Sequence, residues 1–322
     1  MYRKTGGGSA MNNSYAVVVG GVNLDIGGTP AKTMVLHDSN PGTVRMSLGG
    51  VGRNIAHNMA LLGVPTALIT ALGEDLPARQ IANSCKELGI DLSHALRVPH
   101  AATSTYLFLT DHLGEMELAV SDMAIYDHLT PAFLESKLKV LNHAKLVVCD
   151  TNIPAESVEF LAEHCTAPVF LDTVSTAKAE KARPILGRLH TLKPNRIEAA
   201  LLSGVDIVDE VSLQVAASKL LETGLERVFI SLGGDGVLAA DHRGLVHLPI
   251  YPGEMKNATG CGDAFMAALA WSFWADKGLE ESARAGLAAA AIALAGAETI
   301  NPLLSPQAVS DIIDLHKEEA LC

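Results

Sequence analysis

The chain has 322 residues, enough for one large α/β domain or two small ones. Hydrophobic residues make up 48% of it and aromatic residues only 4%, so the core is built from Ala, Leu, Val and Ile. The net charge is −12 and no polybasic stripe appears, which argues against a nucleic-acid surface; an anionic substrate would need a local electropositive pocket or a metal ion.

The five cysteines, Cys85, Cys149, Cys165, Cys261 and Cys322, contain no CxxC pair, and their odd count argues against a disulfide framework. A reducing cytoplasm is the predicted compartment. The 12 histidines lack HxH or HExxH spacing, so a structural zinc site is not expected. The Ala-rich run 286–297 is too short to span a bilayer. Residues 1–14, with a glycine-rich stretch before Met11, read as a tag or disordered tail outside the fold.

Residues 15–21 form a short apolar strand pattern that ends in Val22-Asn23-Leu24-Asp25. Asn23 and Asp25 are two apart, so at a strand end they point to one side. An amide beside a carboxylate suits vicinal hydroxyls; the same residues also favour turns. Residues 26–48 are small, polar and turn-forming, and include Asp38-Ser39-Asn40-Pro41-Gly42. Gly49-Gly50-Val51-Gly52-Arg53-Asn54 then opens a helix over 55–62. A glycine cluster there suggests close approach of a ligand to backbone. It is not GxGxxG and follows no clean buried strand, so no dinucleotide site is read.

A strand over 64–72 and a helix over 78–88 follow. The β-like runs 103–109 and 115–120 flank Asp111-His112-Leu113-Gly114, a hairpin signal. With residues near 33–47 they make a small separate sheet, read as a lid drawn from about 27–48 and 99–122. Strands at 144–149, 168–172, 190–193 and 227–231 then alternate with helices at 155–164, 177–188, 196–202 and 211–223. This alternation predicts an α/β fold: a doubly wound, mostly parallel sheet flanked by helices, plus the small β-sheet lid, all within 15–316.

Three stretches in this half carry candidate chemistry. In Lys193-Pro194-Asn195-Arg196-Ile197-Glu198, Asn195 and Glu198 are i,i+3 and share a helix face. They could order the water shell of Mg²⁺, and they equally match a capping box. Ser231-Leu232-Gly233-Gly234-Asp235-Gly236 reads as a glycine-rich loop over nucleotide phosphates or as a plain Asp-Gly hairpin. Asn257-Ala258-Thr259-Gly260-Cys261-Gly262-Asp263 precedes an apolar helix. Helix N-termini carry orphan N–H donors and bind anions. A carboxylate beside such a cradle is what phosphoryl transfer to an alcohol requires.

Together these stretches resemble the ribokinase-like (phosphofructokinase-B) family of ATP-dependent sugar and nucleoside kinases, over nearly the whole chain from Tyr15 to about Pro306. The resemblance rests on residues 49–54 and 257–263 as two glycine motifs, with Lys-Pro-Asn-x-x-Glu between them. It implies Asp263 as catalytic base and the backbone of Gly260, Cys261 and Gly262 as anion hole. It implies sugar contacts at Asn23, Asp25, Gly50 and Asn54, and nucleotide contacts at Asn195, Glu198, Ser231, Gly233 and Gly236. Glu198 would meet Mg²⁺ through water, and Asn257 and Thr259 fall where many members hold K⁺. Cys261 departs from the usual alanine or glycine, and a helix N-terminus could make its thiol reactive. The implied reaction is ATP-dependent phosphorylation of a nucleoside, pseudouridine, at its 5′-hydroxyl; the alternative is another nucleoside or sugar such as ribose. Ser39 and Asn40 are the expected base contacts. The partners expected are a small-molecule nucleoside and a second copy of the chain paired through the lid, with no nucleic acid and no membrane.

Overall fold

A computed structural model describes residues 14–319, with side chains through residue 316. Among the described residues the strands are β1 (Ala16–Val19), β2 (Asn23–Pro30), β3 (Gly42–Gly49), β4 (Thr66–Ile69), β5 (Ala71–Leu72), β6 (Leu96–Arg97), β7 (Thr105–Thr110), β8 (Met116–Asp122), β9 (Leu146–Asp150), β10 (Val169–Asp172), β11 (Thr191–Lys193), β12 (Arg227–Ser231), β13 (Val237–Asp241) and β14 (Gly244–Leu248). Eight of them form one sheet in the order β14-β13-β12-β11-β10-β9-β1-β4. The run from β4 to β12 is parallel, and β13 and β14 are antiparallel.

Side chains alternate across this sheet, and the core divides accordingly. Ala16 and Val18 of β1 pack with Leu146 and Val148 of β9 under the helices Val51–Leu61, Cys261–Trp274 and Leu279–Leu294. Val17, Val19, Val147 and Cys149 face the opposite layer, with the helices Ala155–His164, Arg196–Ser203 and Glu210–Glu222. The central strands β1, β4, β9 and β10 are apolar up to their ends because both faces are covered.

A second sheet, β3-β2-β7-β8, stands apart from the first. The hairpin read at Asp111–Gly114 joins β7 to β8, with Asp111 Oδ1 accepting from the N–H groups of Leu113 and Glu115. The strand β2 was not expected: residues 26–30 are Ile-Gly-Gly-Thr-Pro, whose glycines and proline are weak strand formers, and they extend because they pair with β3 on one side and β7 on the other. Asn23 and Asp25 therefore belong to a lid strand, not to the end of β1. They still share one face, two residues apart. The helix expected over 177–188 is α-helical only over Thr176–Ala179 and becomes 3₁₀ over Glu180–Arg188. Pro184 lies inside it and has no N–H to give an α-helical ladder.

The fold positions the site at one edge. The carboxyl ends of the parallel strands lie side by side: Val19 of β1, Asp150, Asp172, Lys193 and Ser231. Strand order reverses at β1, which has β4 on one side and β9 on the other. In open α/β sheets such a switch point opens a crevice for ligands.

Candidate active site

Two helix N-termini converge on this crevice, and glycines let them approach. Gly50 caps the helix Val51–Leu61 at φ 92°, and a Cβ there would lie 2.5 Å from the Val22 Cα. Gly260 caps the helix Cys261–Trp274 at φ 85°, where a Cβ would lie 2.2 Å from the Thr299 carbonyl oxygen. Only glycine is comfortable at both positions. The result joins the two glycine motifs: Asn54 Nδ2 donates to Asp263 Oδ2 at 2.8 Å.

Charged groups line the strand ends beneath. Asp150, Asp172 and Lys193 stand in register on β9, β10 and β11. Lys193 Nζ lies 3.1 Å from Asp172 Oδ2, and it is also the one group that a Cβ on Gly262 would meet, at 3.4 Å. The lysine amine thus stands against the start of the helix that Asp263 opens. Burial works against its charge, but Asp172, with Asp263 and Glu198 behind it, raises its pKa above the ordinary lysine value.

Asp263 is half-buried. Burial pushes its pKa up to about 8, with Asp172 and Asp150 adding like charge and Asn54 and Lys193 opposing. Asp150 is raised to about 6, chiefly by burial, although Gly21 N–H donates to its Oδ2 at 2.8 Å. Asp172, Asp263 and Glu198 act together on Lys193, while Asp150 faces Lys178 and Lys181. Such a site favours an added positive charge or a proton.

On the lid side, Asn23 Oδ1 accepts from Ser104 Oγ at 2.7 Å and lies 3.0 Å from the Tyr126 hydroxyl. Tyr126 also accepts from the Val22 N–H at 2.7 Å, which anchors the passage from β1 into the lid. Asp25 Oδ1 is buried with no hydrogen-bond partner, and burial raises its pKa to about 6 while Arg53 pulls it down. Its Oδ2 leans over Gly49, 2.0 Å from where a Cβ would stand. A buried, unpaired acceptor at this place is what a donor hydroxyl would satisfy.

The 195–198 and 231–236 motifs meet at the other end of the crevice, where Asn195 bridges Ser231 in parallel. Both readings of Asn195 and Glu198 touch the same geometry. The capping box forms: Glu198 N–H donates to Asn195 Oδ1 and Asn195 N–H to Glu198 Oε2, each at 2.9 Å. Glu198 is 4% exposed, and its Oε2 also accepts from Thr173 Oγ1 at 2.6 Å. The loop after β12 is a hairpin turn into β13, and it is also open: a Cβ on Gly233 or Gly234 would meet nothing within 4 Å. Gly236, at φ 93°, lies tight against the Leu248 carbonyl.

Among the described residues no group of three or more His, Cys, Asp or Glu is arranged to hold a metal ion. A Mg²⁺ carried on nucleotide phosphates keeps several waters and needs few protein ligands. The open glycine loop, the helix start after Gly260 with the Lys193 amine beside it, and the excess of carboxylate fit such a group. Thr259 N–H donates to Asn257 Oδ1 at 2.9 Å, so these two residues share one turn. The Cys261 thiol is not activated by its helix: burial and the neighbouring Asp263 push its pKa up.

Residues 13–306 match the pfkB family of carbohydrate kinases. The chain belongs to this family. It is 38% identical to the pseudouridine kinase of Escherichia coli strain K12 over 312 residues, covering 96% of this chain and 98% of that protein. It is 36% identical to an uncharacterized sugar kinase, YeiI, of the same organism, covering 90% and 81%. The ribokinase crystal structure from Thermotoga maritima superimposes with a TM-score of 0.83 at 24% identity, covering 94% of this chain and 99% of that one, which shows the shared fold.

Within this kinase the structure brings together Asn23, Asp25, Gly50, Asn54 and Asp263 at one end and Asn195, Glu198, Ser231, Gly233 and Gly236 at the other. It does not bring Ser39 or Asn40 to them. Pro30 pairs with Gly42 at the far end of the lid ribbon, so the 31–41 loop is the length of β2 away from Asn23, roughly 23 Å. Asn40 spends its amide on its own loop, bonding Val35 N–H and the Val35 carbonyl at 2.8 and 2.9 Å. A cavity of about 620 Å³ opens beside the site, lined among others by Gly27, Arg45, Arg53, His57, Phe108 and Asn257; Asp263, Asn23 and Asp25 do not line it. Sequence reasoning missed Asp150, Asp172 and Lys193 as a charged row. Asn152, which accepts from Lys178 Nζ at 2.6 Å, lies beside Gly21. A carboxylate closing an apolar strand, as in Val-Val-Cys-Asp and Val-Phe-Leu-Asp, was the available signal.

Proposed function

We propose that this kinase transfers the γ-phosphoryl group of ATP to the 5′-hydroxyl of pseudouridine. The observation that carries the chemistry is the Asn54–Asp263 hydrogen bond beside an open helix N-terminus. Asn54 occupies Oδ2, which leaves Oδ1 of Asp263 for the substrate hydroxyl. As the 5′-oxygen forms its bond to the γ-phosphorus, its proton passes to Asp263. The bond from that phosphorus to the bridging oxygen breaks, and ADP leaves. A base with a pKa near neutrality suits such a transfer.

The backbone of Gly260, Cys261 and Gly262 would receive the transferring group, with Lys193 beside it. Asn195, Glu198 and the 231–236 loop would hold the nucleotide, and Glu198 would order the waters of its Mg²⁺. That ion would neutralise phosphate charge. Asn257 and Thr259 would supply oxygens for a monovalent cation. Asn23 and Asp25 would take the ribose hydroxyls. Since Ser39 and Asn40 lie far off, the polar edge of the base would meet Asn152 and Lys178 instead.

The choice of pseudouridine is supported by the 38% identity, along nearly the full length of both chains, to the Escherichia coli enzyme of that name. The similar identity to a sugar kinase favours a second reading, a different sugar or nucleoside acceptor. Turnover with pseudouridine, uridine and ribose, measured side by side with Mg·ATP, decides between them. Preference for pseudouridine supports the first reading, and equal or greater turnover of either competitor overturns it.

We also propose a homodimer through the outer lid face. Ile26, Met46, Leu107 and Val120 lie in one row across the four strands, and Val44, Leu109 and Leu118 in the next; most are exposed. Asp25, Tyr106 and Phe108 face the other way, toward the site. Light scattering of the wild type and of Val120→Glu tests this. No described helix is long and apolar enough to cross a membrane, and the free, buried Cys85 and Cys149 suit a reducing cytoplasm.

A further inference from the structure

Arg53 is 5% exposed, wedged between the lid and the core. Its Nη1 donates to the Leu48 carbonyl at 2.8 Å and its Nη2 to Ser84 Oγ at 3.0 Å. Both acceptors are neutral, and its Nε is buried without a partner. A guanidinium does not shed its proton, and a buried charge without a counter-charge is costly. Burial pulls its pKa down, and two groups oppose that, the Cys85 thiol and the Asp25 carboxyl. Burial keeps Cys85 protonated, so Asp25 is the counter-charge.

Asp25 is the complementary half of the same arrangement. Its Oδ1 is buried and unpaired, and its Oδ2 lies over Gly49. Gly49 directly follows Leu48, so Arg53 and Asp25 meet the end of β3 at adjacent residues. We infer that Arg53 is a positioning residue for substrate binding: it sets its charge beside Asp25, the hydroxyl acceptor, and, through the Leu48 carbonyl, holds the lid strand on which Asp25 rests. This builds on the reading of Asp25 as a ribose contact.

Other titratable or charged groups near the pair are Tyr126, Tyr106, Arg45, His57 and Glu298, the last lining the same cavity as Arg53. Tyr126 is raised by burial and stays neutral. Tyr106 pairs with Asp25 across β2 and β7, and Arg45 stands opposite Gly27 on β3. His57, one turn along the helix from Arg53, is lowered to about 4 by burial and by Arg53, so it too stays neutral above pH 5. Arg53 is the group that opposes the burial of Asp25.

The test is pseudouridine binding by calorimetry from pH 5 to pH 9, in an Asp263→Asn background so that the catalytic base does not titrate. With Arg53 present, affinity falls as pH drops through about 6. Losing the cation raises the Asp25 pKa, so Arg53→Gln moves that midpoint upward by about one pH unit or more. Arg53→Lys keeps the midpoint while weakening binding equally at every pH. Arg53→Met, of similar volume, serves the same purpose should Arg53→Gln not fold. A midpoint unmoved in the neutral variants, or moved as far in Arg53→Lys, overturns the inference; a purely structural role would predict the unmoved midpoint. Absence of any nucleoside binding with Arg53 in place overturns the functional reading instead, and this inference with it.

Discussion

Asn54 and Asp263 are 209 residues apart in sequence and 2.8 Å apart in space. Each sits in the first turn of a helix capped by a left-handed or otherwise positive-φ glycine, and those two helices pack side by side under the sheet. The bond orients the carboxyl that the proposed reaction needs as a base. It also opposes the rise in the Asp263 pKa that burial and Asp172 impose.

Asp263→Asn should lower kcat by ~10²–10⁴ with nucleoside binding retained. In the wild type, kcat/KM should climb as pH rises through about 8, where the free carboxyl loses its proton. The same shift carries a stability consequence. The folded carboxyl binds its proton more tightly than an unfolded aspartate, so folded protein holds more protons between about pH 4 and pH 8, and stability falls as pH rises across that window. Asp263→Asn removes this penalty and should melt above the wild type at pH 8, the gap closing toward pH 4. Melting curves and steady-state kinetics at several pH values check both halves. Near-normal turnover in the folded variant would remove Asp263 from its role.

Lys193→Met should be worse for stability than for packing alone. It strands Asp172 of a buried pair whose charged atoms lie 3.1 Å apart, and breaking such a pair costs about 3–5 kcal/mol. Lys193→Met with Asp172→Asn should recover much of that loss. The double variant should nonetheless stay slow, by about 10²-fold or more, because the charge beside the helix start at Gly262 is gone. Recovery of both stability and rate would mean that Lys193 only neutralises Asp172.

Glu198→Gln should leave the melting temperature close to that of the wild type. An amide oxygen can still accept from Thr173 Oγ1 and from Asn195 N–H. The Mg²⁺ concentration for half-maximal activity should rise. Glu198→Ala should lose about 1 kcal/mol of stability in addition, the ordinary worth of a cap. Unchanged Mg²⁺ titration in the Gln variant would leave the capping box as the residue's whole role.

Ser39→Ala and Asn40→Ala should leave the kcat/KM ratio of pseudouridine to uridine at its wild-type value. Asn40 bonds within its own exposed loop, a strand's length from Asn23. Lys178→Met should narrow that ratio, because Lys178 Nζ, 2.6 Å from Asn152 Oδ1, lies near the passage from β1 into the lid. A ratio that responds to Asn40 and not to Lys178 would put base recognition on the lid tip, as sequence proximity alone suggests.

The layered α/β core was legible from the sequence because its signals are local. Short apolar strands closed by turn residues, alternating with helical periods, require only neighbouring residues to be read. The glycine motifs were legible for a related reason: a positive φ or a tight backbone approach leaves glycine as the residue that fits, as at Gly50 and Gly260. Asn195 and Glu198 were recognisable as a pair at i,i+3, and the structure realises the capping box without removing them from the crevice.

Other features were decided only by tertiary structure. β2 is extended because two partner strands supply its hydrogen bonds, which Ile-Gly-Gly-Thr-Pro does not announce. The charged row of Asp150, Asp172 and Lys193 exists through the register of three parallel strands, each contributing one residue from a different part of the chain. The thiol of Cys261 is raised, not lowered, because burial and Asp263 outweigh the helix end. Ser39 and Asn40 looked close to the sugar contacts because they are close in sequence, yet a strand rises about 3.3 Å per residue and carries the loop away from them. Sequence determined which residue types and local shapes were present; the register of the sheets and the depth of burial determined which of them meet and in what state of charge.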